Sequence, residues 1–187
     1  MTQYTKTDLE LALEALSDNS LAATEYEVAR AVVIAASLAH RTIATAESLT
    51  AGLISATLAT IPGASSVLRG GAIVYATDLK TSVLQVPPSL LARGGAVQAP
   101  VAELMARNVV QWANADFGLA CTGVAGPDPQ DGHPVGEVHV AVATRDSVRT
   151  HSLTLAGDRD AIRHGTVLVI LGMLLDALLP LVENPVA

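Results

Sequence analysis

The stretch Thr42-Ile43-Ala44-Thr45-Ala46-Glu47-Ser48-Leu49-Thr50-Ala51-Gly52 predicts a strand that leads into a helix, with a serine at the corner between them. Its first four residues are rich in β-branched side chains, which is typical of a strand. The residues from Leu49 to Thr60 are predicted to be helical, and Pro62-Gly63 ends them. At such a corner the Ser48 oxygen is accessible, and the first N–H groups of the helix have no intrahelical partner. Those donors can stabilise an oxyanion or bind a phosphate.

Around this corner, helix and strand patterns alternate along the chain, and a hairpin-like pair follows. The predicted elements are a helix over Leu9–Leu16 that breaks at Asp18–Ser20, a capped helix from Thr24 to Ala39, a strand over Ala72–Tyr75 behind a Gly-Gly turn, a helix capped by Asp78, an element between Pro87-Pro88 and Gly94-Gly95, a helix from Pro100 to Ala113, a buried strand over Phe117–Cys121, paired strands over Gly136–Ala143 and Val148–Leu155, and a long helix from Asp158. This order predicts an α/β fold, a single layered domain with a mixed β-sheet flanked by helices. Residues 1–22 are predicted to be an N-terminal helical extension, and residues 23–187 the main domain.

Composition narrows the classes of function. Half of the 187 residues are hydrophobic but 3% are aromatic, so the core is built from Ala, Val, Leu and Ile. The net charge of −7 and the pI near 5.1 offer no basic field for nucleic acid, whose binding depends on neutralising phosphates. The acidic charge does not exclude a small phosphorylated ligand, because one or two arginines are enough to bind it.

The cysteine, histidine and hydropathy patterns indicate the cellular compartment and bear on metal binding and membrane insertion. The single Cys121 cannot form an internal disulfide, which favours a reducing compartment and a buried, inert thiol. The five histidines lack metal-ligand spacing, so we expect no metal. Residues 166–182 are apolar over the length of a membrane span, but Asp176 and Pro180 favour a buried core helix. We therefore expect a cytoplasmic protein.

Three residues carry the chemistry that the sequence suggests. Ser48 could be a nucleophile, Tyr75 a phenol that relays a proton, and Lys80 a base if its pKa is lowered. Each also has an ordinary interpretation: Ser48 as a helix cap, Tyr75 as a packed strand residue and Lys80 as a surface amine. The Tyr-Lys spacing does not fit short-chain dehydrogenases, and no glycine-rich cofactor turn is present.

A second group of residues could bind substrate. Thr122, Gly123 and Gly126 follow a predicted strand with small residues where a backbone could approach a phosphate, although a plain turn is equally consistent. Arg159 and Arg163 lie four apart on one helix face, where they could clamp a phosphate or pair with nearby acids. Substrate approach is one interpretation of Gly52, and Thr50 could support the turn or face the substrate.

Seven short blocks in this order resemble the CinA C-terminal domain family, which includes the nicotinamide-nucleotide amidohydrolases. The blocks are Thr45-Ala46-Glu47-Ser48-x-Thr50-x-Gly52, Pro62-Gly63-Ala64-Ser65, Gly70-Gly71 with Tyr75 and Lys80, Gly95-Ala96-Val97, Thr122-Gly123-x-Ala125-Gly126-Pro127, Pro134-Val135-Gly136 and Gly157-Asp158-Arg159. The resemblance implies a stand-alone enzyme that converts nicotinamide mononucleotide to nicotinic acid mononucleotide and ammonia. It implies Ser48 as nucleophile, Lys80 as base and Tyr75 as assisting hydroxyl, with no cofactor.

This chain also departs from the pattern of that family. Leu49 and Ala51 stand where the family commonly has Cys and Gly, and Gln98 replaces a frequent serine. Asp128 and Asp131 replace part of a glycine-rich loop with acids. These changes support a second hypothesis, a catalytically impaired relative that acts as a nucleotide-binding or protein-interaction module. For either function we expect a homo-oligomer, with no nucleic acid or membrane partner.

Overall fold

The computed structural model describes residues 3–18 and 24–183, and these form a five-stranded sheet with helices on both faces. The elements are α1 (Lys6–Asp18), α2 (Glu25–Leu38), β1 (Ile43–Glu47), α3 (Leu53–Ala59), a 3-10 turn (Ala64–Ser66), β2 (Leu68–Ile73), α4 (Thr77–Ser82), α5 (Pro88–Gly94), α6 (Ala99–Ala113), β3 (Phe117–Gly123), β4 (Glu137–Ala143), β5 (Val148–Thr154) and α7 (Arg159–Glu183).

The strand order is β2-β1-β3-β4-β5. Strand β1 is parallel to both β2 and β3, whereas β4 is antiparallel to both β3 and β5. The sheet is therefore mixed, and the predicted α/β fold is confirmed. The pairing of β4 with β5 also confirms the predicted hairpin.

Small aliphatic side chains fill the core on both faces of the sheet. On one face, α1, α2, α3 and α7 pack together, with Ile34, Leu119 and Leu171 fully buried. On the other face, α6 covers β1, β3, β4 and β5, with Met105 and Ala120 fully buried. Large apolar side chains are exposed at a few surface positions, among them the single tryptophan, Trp112 on α6, which is 54% exposed.

Helix α7 is long and apolar enough to cross a membrane, judged by length and composition. Half of its most apolar window is buried inside the domain, however, and it packs along α2 and β4. Ile162, Leu171 and Leu178 on this helix are each fully buried. The prediction of a core helix is thus confirmed, and Pro180 is accommodated within it.

Several predicted boundaries are confirmed. Thr24 and Glu27 form a capping box at the start of α2, with each side chain bonded to the main chain of the other residue. Pro100 lies in the first turn of α6, and Pro88 opens α5. The predicted break after α1 includes Asn19 and Ser20, which lie outside the described residues, and the division into an extension and a main domain stays a prediction.

Three predicted boundaries around the serine corner are wrong. Helix α3 begins at Leu53 rather than Leu49, because a turn over residues 48–52 precedes it. Gly70-Gly71 lies within β2 and is not a turn before it. The reason at Gly71 is close packing, since a Cβ there would be 2.1 Å from the Thr45 hydroxyl. Ala76, not Asp78, is the N-cap residue of α4.

Candidate active site

The candidate site is a cavity of about 110 Å³ at the carboxyl ends of the three parallel strands. The chain passes from β1 to β2 on one side and later to β3 on the other, so the strand order reverses at β1. Open α/β sheets bind ligands in the crevice at such a reversal. The lining residues are Ser48, Leu49, Tyr75, Thr77, Lys80, Ala96, Val97, Thr122, Gly123, Val124, Ala125, Gly126, Asp128, Gln130 and Arg159.

Ser48 and Lys80 meet at the floor of this cavity. The Lys80 Nζ lies 3.0 Å from the Ser48 Oγ, and it also donates to the main-chain oxygens of Val74 at 2.7 Å and Tyr75 at 3.4 Å. Lys80 is 1% exposed and Ser48 8%. Burial lowers the pKa of Lys80 from 10.5 to about 8, against the opposing effects of Cys121 and Asp78. A lysine in this state is largely neutral above about pH 8, where it can accept a proton from the serine.

The turn that carries Ser48 is fixed from inside by Glu47, the last residue of β1. Its side chain is fully buried and accepts six hydrogen bonds. The donors are the N–H groups of Gly52, Ile54 and Ser55 and the hydroxyls of Thr45, Thr50 and Ser55. The prediction that donors at the start of the helix would face a substrate is therefore wrong for α3, because the Leu53 N–H bonds the Thr50 carbonyl and the N–H groups of Ile54 and Ser55 bond Glu47.

Three predicted substrate-binding residues lie outside the lining of the cavity and hold this turn. The Thr50 hydroxyl donates to Glu47 at 2.8 Å and lies 3.1 Å from the Cys121 Sγ. Gly52 has a φ of 97°, a left-handed conformation that glycine adopts without steric cost. Arg163 reaches from α7 to the main-chain oxygens of Leu49 and Thr50. The structure thus gives Thr50, Gly52 and Arg163 a supporting position behind Ser48.

Tyr75 and Arg159 form the rim of the cavity. The Tyr75 side chain lines the cavity and is 53% exposed, and its hydroxyl accepts a hydrogen bond from the Arg159 Nη2 at 2.8 Å. The Arg159 Nη1 donates to the Gly126 carbonyl at 2.7 Å. The contact between Lys80 and Tyr75 joins the Lys80 Nζ to the main-chain oxygen of Tyr75. The tyrosine hydroxyl is thus oriented by Arg159, and its assistance to Ser48 stays a prediction.

The predicted residues after β3 form one wall of the cavity. Thr122, Gly123 and Gly126 all line it, and the Thr122 hydroxyl donates to the Ala96 carbonyl at 2.8 Å. Asp128 lies on the same wall, so the acidic loop does face the site. Other lining residues, such as Thr77 and Val97, were not predicted as site residues. Their positions next to element ends could have indicated them, because Thr77 lies shortly after β2 and Val97 lies shortly before α6.

The thiol of Cys121 is buried, as the sequence predicts. Cys121 is free and fully buried, and burial raises the pKa of its thiol to about 11. The N–H groups of Ser48 and Thr50 contact this thiol and act in the opposite direction. In residues 3–18 and 24–183, no group of three or more His, Cys, Asp or Glu side chains is arranged to hold a metal ion.

The CinA C-terminal domain family matches residues 25–178. The chain belongs to this family. The CinA C-terminal domain thus includes Ser48, Lys80 and all the other lining residues of the cavity.

Relatives and solved structures support this membership. A competence-damage inducible protein of Geobacillus sp. (strain WCH70) is 50% identical over 124 residues, 66% of this chain and 30% of the relative. A CinA-like protein of Frankia casuarinae is 48% identical over 122 residues, 65% of this chain and 28% of the relative. The chain thus spans less than a third of each. The crystal structure of the competence/damage inducible protein CihA from Agrobacterium tumefaciens has a TM-score of 0.79 and 34% identity, and the match covers 84% of this chain and 99% of that one.

Proposed function

We propose that this protein is a serine amidohydrolase that deamidates nicotinamide mononucleotide to nicotinic acid mononucleotide and ammonia. The observation that carries the proposal is the 3.0 Å contact between the Lys80 Nζ and the Ser48 Oγ at the floor of a cavity. This separation suits direct proton transfer, which requires about 2.6–3.2 Å between heavy atoms. The choice of substrate rests on the resemblance to the nicotinamide-nucleotide amidohydrolases.

The proposed reaction begins with neutral Lys80. It removes the Ser48 proton, and the Ser48 Oγ attacks the carboxamide carbon to form a tetrahedral intermediate. Protonated Lys80 returns the proton to the amide nitrogen, ammonia leaves, and an ester with Ser48 forms. Lys80 then takes a proton from water, the resulting hydroxide attacks the ester, and protonated Lys80 returns the proton to the leaving Ser48 Oγ, which restores both side chains. Each step uses side chains of this chain and water, so the proposed reaction needs no cofactor.

The developing oxyanion needs a hydrogen-bond donor other than the N–H groups at the start of α3, which are already bonded. The N–H group of Leu49, next to Ser48, has no acceptor in the described part of the chain. It is therefore the donor of this turn that remains for the substrate oxygen. A donor of this kind typically contributes about 2.7–4 kcal/mol to transition-state stabilisation.

The phosphate of the substrate is proposed to bind Arg159. This side chain lines the cavity, and its two hydrogen bonds go to neutral oxygens of Gly126 and Tyr75. Within the described residues it has no carboxylate partner, so its charge is available to an anion. Guanidinium groups bind phosphate through paired N–H donors, which fits the position of Arg159 at the rim.

Ammonia release from nicotinamide mononucleotide tests the proposed function. Wild type should turn over, whereas Ser48→Ala and Lys80→Met should lose at least about 10³-fold in kcat. Ser89→Ala and Lys6→Met are matched controls, because both side chains are exposed and outside the cavity. Absence of turnover in wild type, or equal turnover in Ser48→Ala, would remove the assignment.

A second candidate function is a catalytically impaired module that binds a nucleotide or a protein. Asp128 favours it, because a carboxylate on the wall of the cavity disfavours a phosphate nearby. Calorimetry with nicotinamide mononucleotide should then show binding without product, and Asp128→Asn should tighten that binding. Binding accompanied by ammonia release would exclude this candidate.

We also propose a cytoplasmic location and self-association. The single buried Cys121 suits a reducing compartment, and the apolar composition leaves exposed side chains such as Ile73 and Leu11 that a second copy could cover. Fractionation of the producing cells tests the location. Sedimentation at several protein concentrations tests association, and a constant monomer mass would contradict it.

A further inference from the structure

We infer that Glu47 and Arg163 are positioning residues that hold Ser48 in reach of Lys80, an inference that rests on the proposed function. Neither side chain lines the cavity. Both side chains bind the turn over residues 48–52: Glu47 accepts from the Thr50 hydroxyl and the Gly52 N–H, and Arg163 donates to the carbonyls of Leu49 and Thr50. They therefore act on the reaction through the orientation of the nucleophile.

The Glu47 side chain binds the donor side of the turn. Its Oε2 accepts from Thr50 Oγ1 at 2.8 Å, Gly52 N at 2.9 Å and Ile54 N at 3.0 Å. Its Oε1 accepts from Ser55 N at 2.8 Å and Ser55 Oγ at 2.7 Å. A fully buried carboxylate is costly unless it is hydrogen-bonded, and here both oxygens are saturated with donors. The turn cannot move without breaking several of these bonds.

The main chain of Glu47 anchors the lysine as well. Its carbonyl accepts a hydrogen bond from the Val74 N–H at 2.9 Å. The Val74 carbonyl in turn accepts the bond from the Lys80 Nζ at 2.7 Å. One residue therefore ties both partners of the 3.0 Å contact to the end of β1: Ser48 through the turn, and Lys80 through Val74.

Arg163 binds the acceptor side of the turn. Its Nε donates to the Leu49 carbonyl at 3.2 Å, and its Nη2 donates to the Thr50 carbonyl at 3.0 Å. A third nitrogen, Nη1, contacts Asp160 at 3.4 Å on the same helix. The planar guanidinium directs two N–H donors at two successive carbonyls, an arrangement that a lysine ammonium reproduces less completely. The turn is thus bonded both to the buried Glu47 side chain and to an arginine of α7.

The consequence is a nucleophile whose position depends on residues that a substrate does not touch. A displacement of about 1 Å can lower the rate of a positioned reaction about 100-fold. In Glu47→Gln, an amide N–H₂ group replaces one oxygen and faces donors that it cannot accept. The turn must then shift. Loss of Arg163 releases the two carbonyls at a partly exposed site, so its effect should be smaller.

The experiment measures Ser48 reactivity with a fluorophosphonate probe beside the kinetics of ammonia release. Labelling forms the Ser48 Oγ–P bond and expels fluoride, while the serine proton passes to Lys80. We compare wild type with Glu47→Gln, Arg163→Met and Arg163→Lys, all at a temperature where circular dichroism shows complete folding. Glu10→Gln and Arg149→Met are matched controls at exposed positions of α1 and β5.

We expect the labelling rate and kcat to fall together, about 100-fold in Glu47→Gln and about 10-fold in Arg163→Met. KM should stay within about threefold, and the pH midpoint of labelling should not move, because Lys80 stays buried and bonded to the Val74 carbonyl. Arg163→Lys should restore most of the rate. If Glu47→Gln does not fold, the two Arg163 variants decide the question.

Other outcomes overturn the inference or the proposed function separately. Folded variants that label within about threefold of wild type, a rise in KM at constant kcat, or a shifted pH midpoint would each overturn positioning. A wild type that labels at Ser48 without releasing ammonia refutes the proposed function, and the labelling rates still test positioning. A wild type that does not label at Ser48 overturns the inference, because no reactive serine is then held.

Discussion

The buried amine of Lys80 should make the stability of this protein rise with pH. Its pKa is about 8 in the folded protein, whereas the unfolded chain has the ordinary value of 10.5. Between these two values the unfolded state binds more protons, so a higher pH favours folding. The contribution is absent below about pH 8 and complete above about 10.5.

The size of this effect follows from the two pKa values. One pKa unit corresponds to about 1.36 kcal/mol, so from pH 7 to pH 9.5 the free energy of unfolding should gain about 2 kcal/mol from Lys80. Lys80→Met removes the titrating group and should lose this gain. It also leaves the Val74 carbonyl without its lysine partner, but that loss shifts the stability of the variant equally at both pH values.

The assay is urea unfolding followed by far-ultraviolet circular dichroism at pH 7 and pH 9.5. The chain has two lysines, so Lys6→Met provides a control in which an exposed amine is removed. The difference between wild type and Lys80→Met should grow by about 2 kcal/mol between the two pH values, whereas the difference for Lys6→Met should stay constant. A Lys80→Met difference that is the same at both pH values would refute a lowered lysine pKa.

Three further predictions concern the same region. Ammonia release should rise about tenfold per pH unit below about 8 and level off above it, as Lys80 loses its proton; a flat profile over that range would contradict the proposed base. Ala51→Gly should stabilise by about 0.5–1 kcal/mol in urea unfolding, because Ala51 has a φ of 52°, whereas Ala56→Gly in α3 should cost about 1 kcal/mol. Gly71→Ala should destabilise by about 2–3 kcal/mol, since its Cβ would lie 2.1 Å from a threonine hydroxyl, whereas Gly172→Ala in α7, with open space, should gain about 1 kcal/mol. Equal effects of the two glycine substitutions would show that packing does not require Gly71.

Segments with a regular apolar pattern, or with a capping residue or proline at their ends, were predicted well from the sequence. The capping box at Thr24 and the Pro100 start are local signals, and each marks its helix correctly. The strands over residues 117–123 and 137–143 follow from apolar content and alternation. These features depend on neighbours in the sequence, so a single chain is enough to find them.

The serine corner was predicted less well, because long-range contacts determine it. The turn over residues 48–52 replaces the first turn of the predicted helix, since Glu47 binds donors up to eight residues ahead. Burial of Lys80 depends on how β2 and α4 pack against Ser48, which no local pattern reveals. The positions of Ser48 and Lys80 were nevertheless proposed correctly as neighbours, because the family resemblance supplied the pairing.

The exposed position of Trp112 determines what fluorescence can report on this protein. It is the chain's single tryptophan, and half of its surface is already in water in the folded state. Its emission should therefore shift little when the core melts, so an optical melting curve recorded on the indole would understate unfolding. The same indole can report binding. Any molecule that covers the outer side of α6 would exclude water from the indole and move its emission to shorter wavelength.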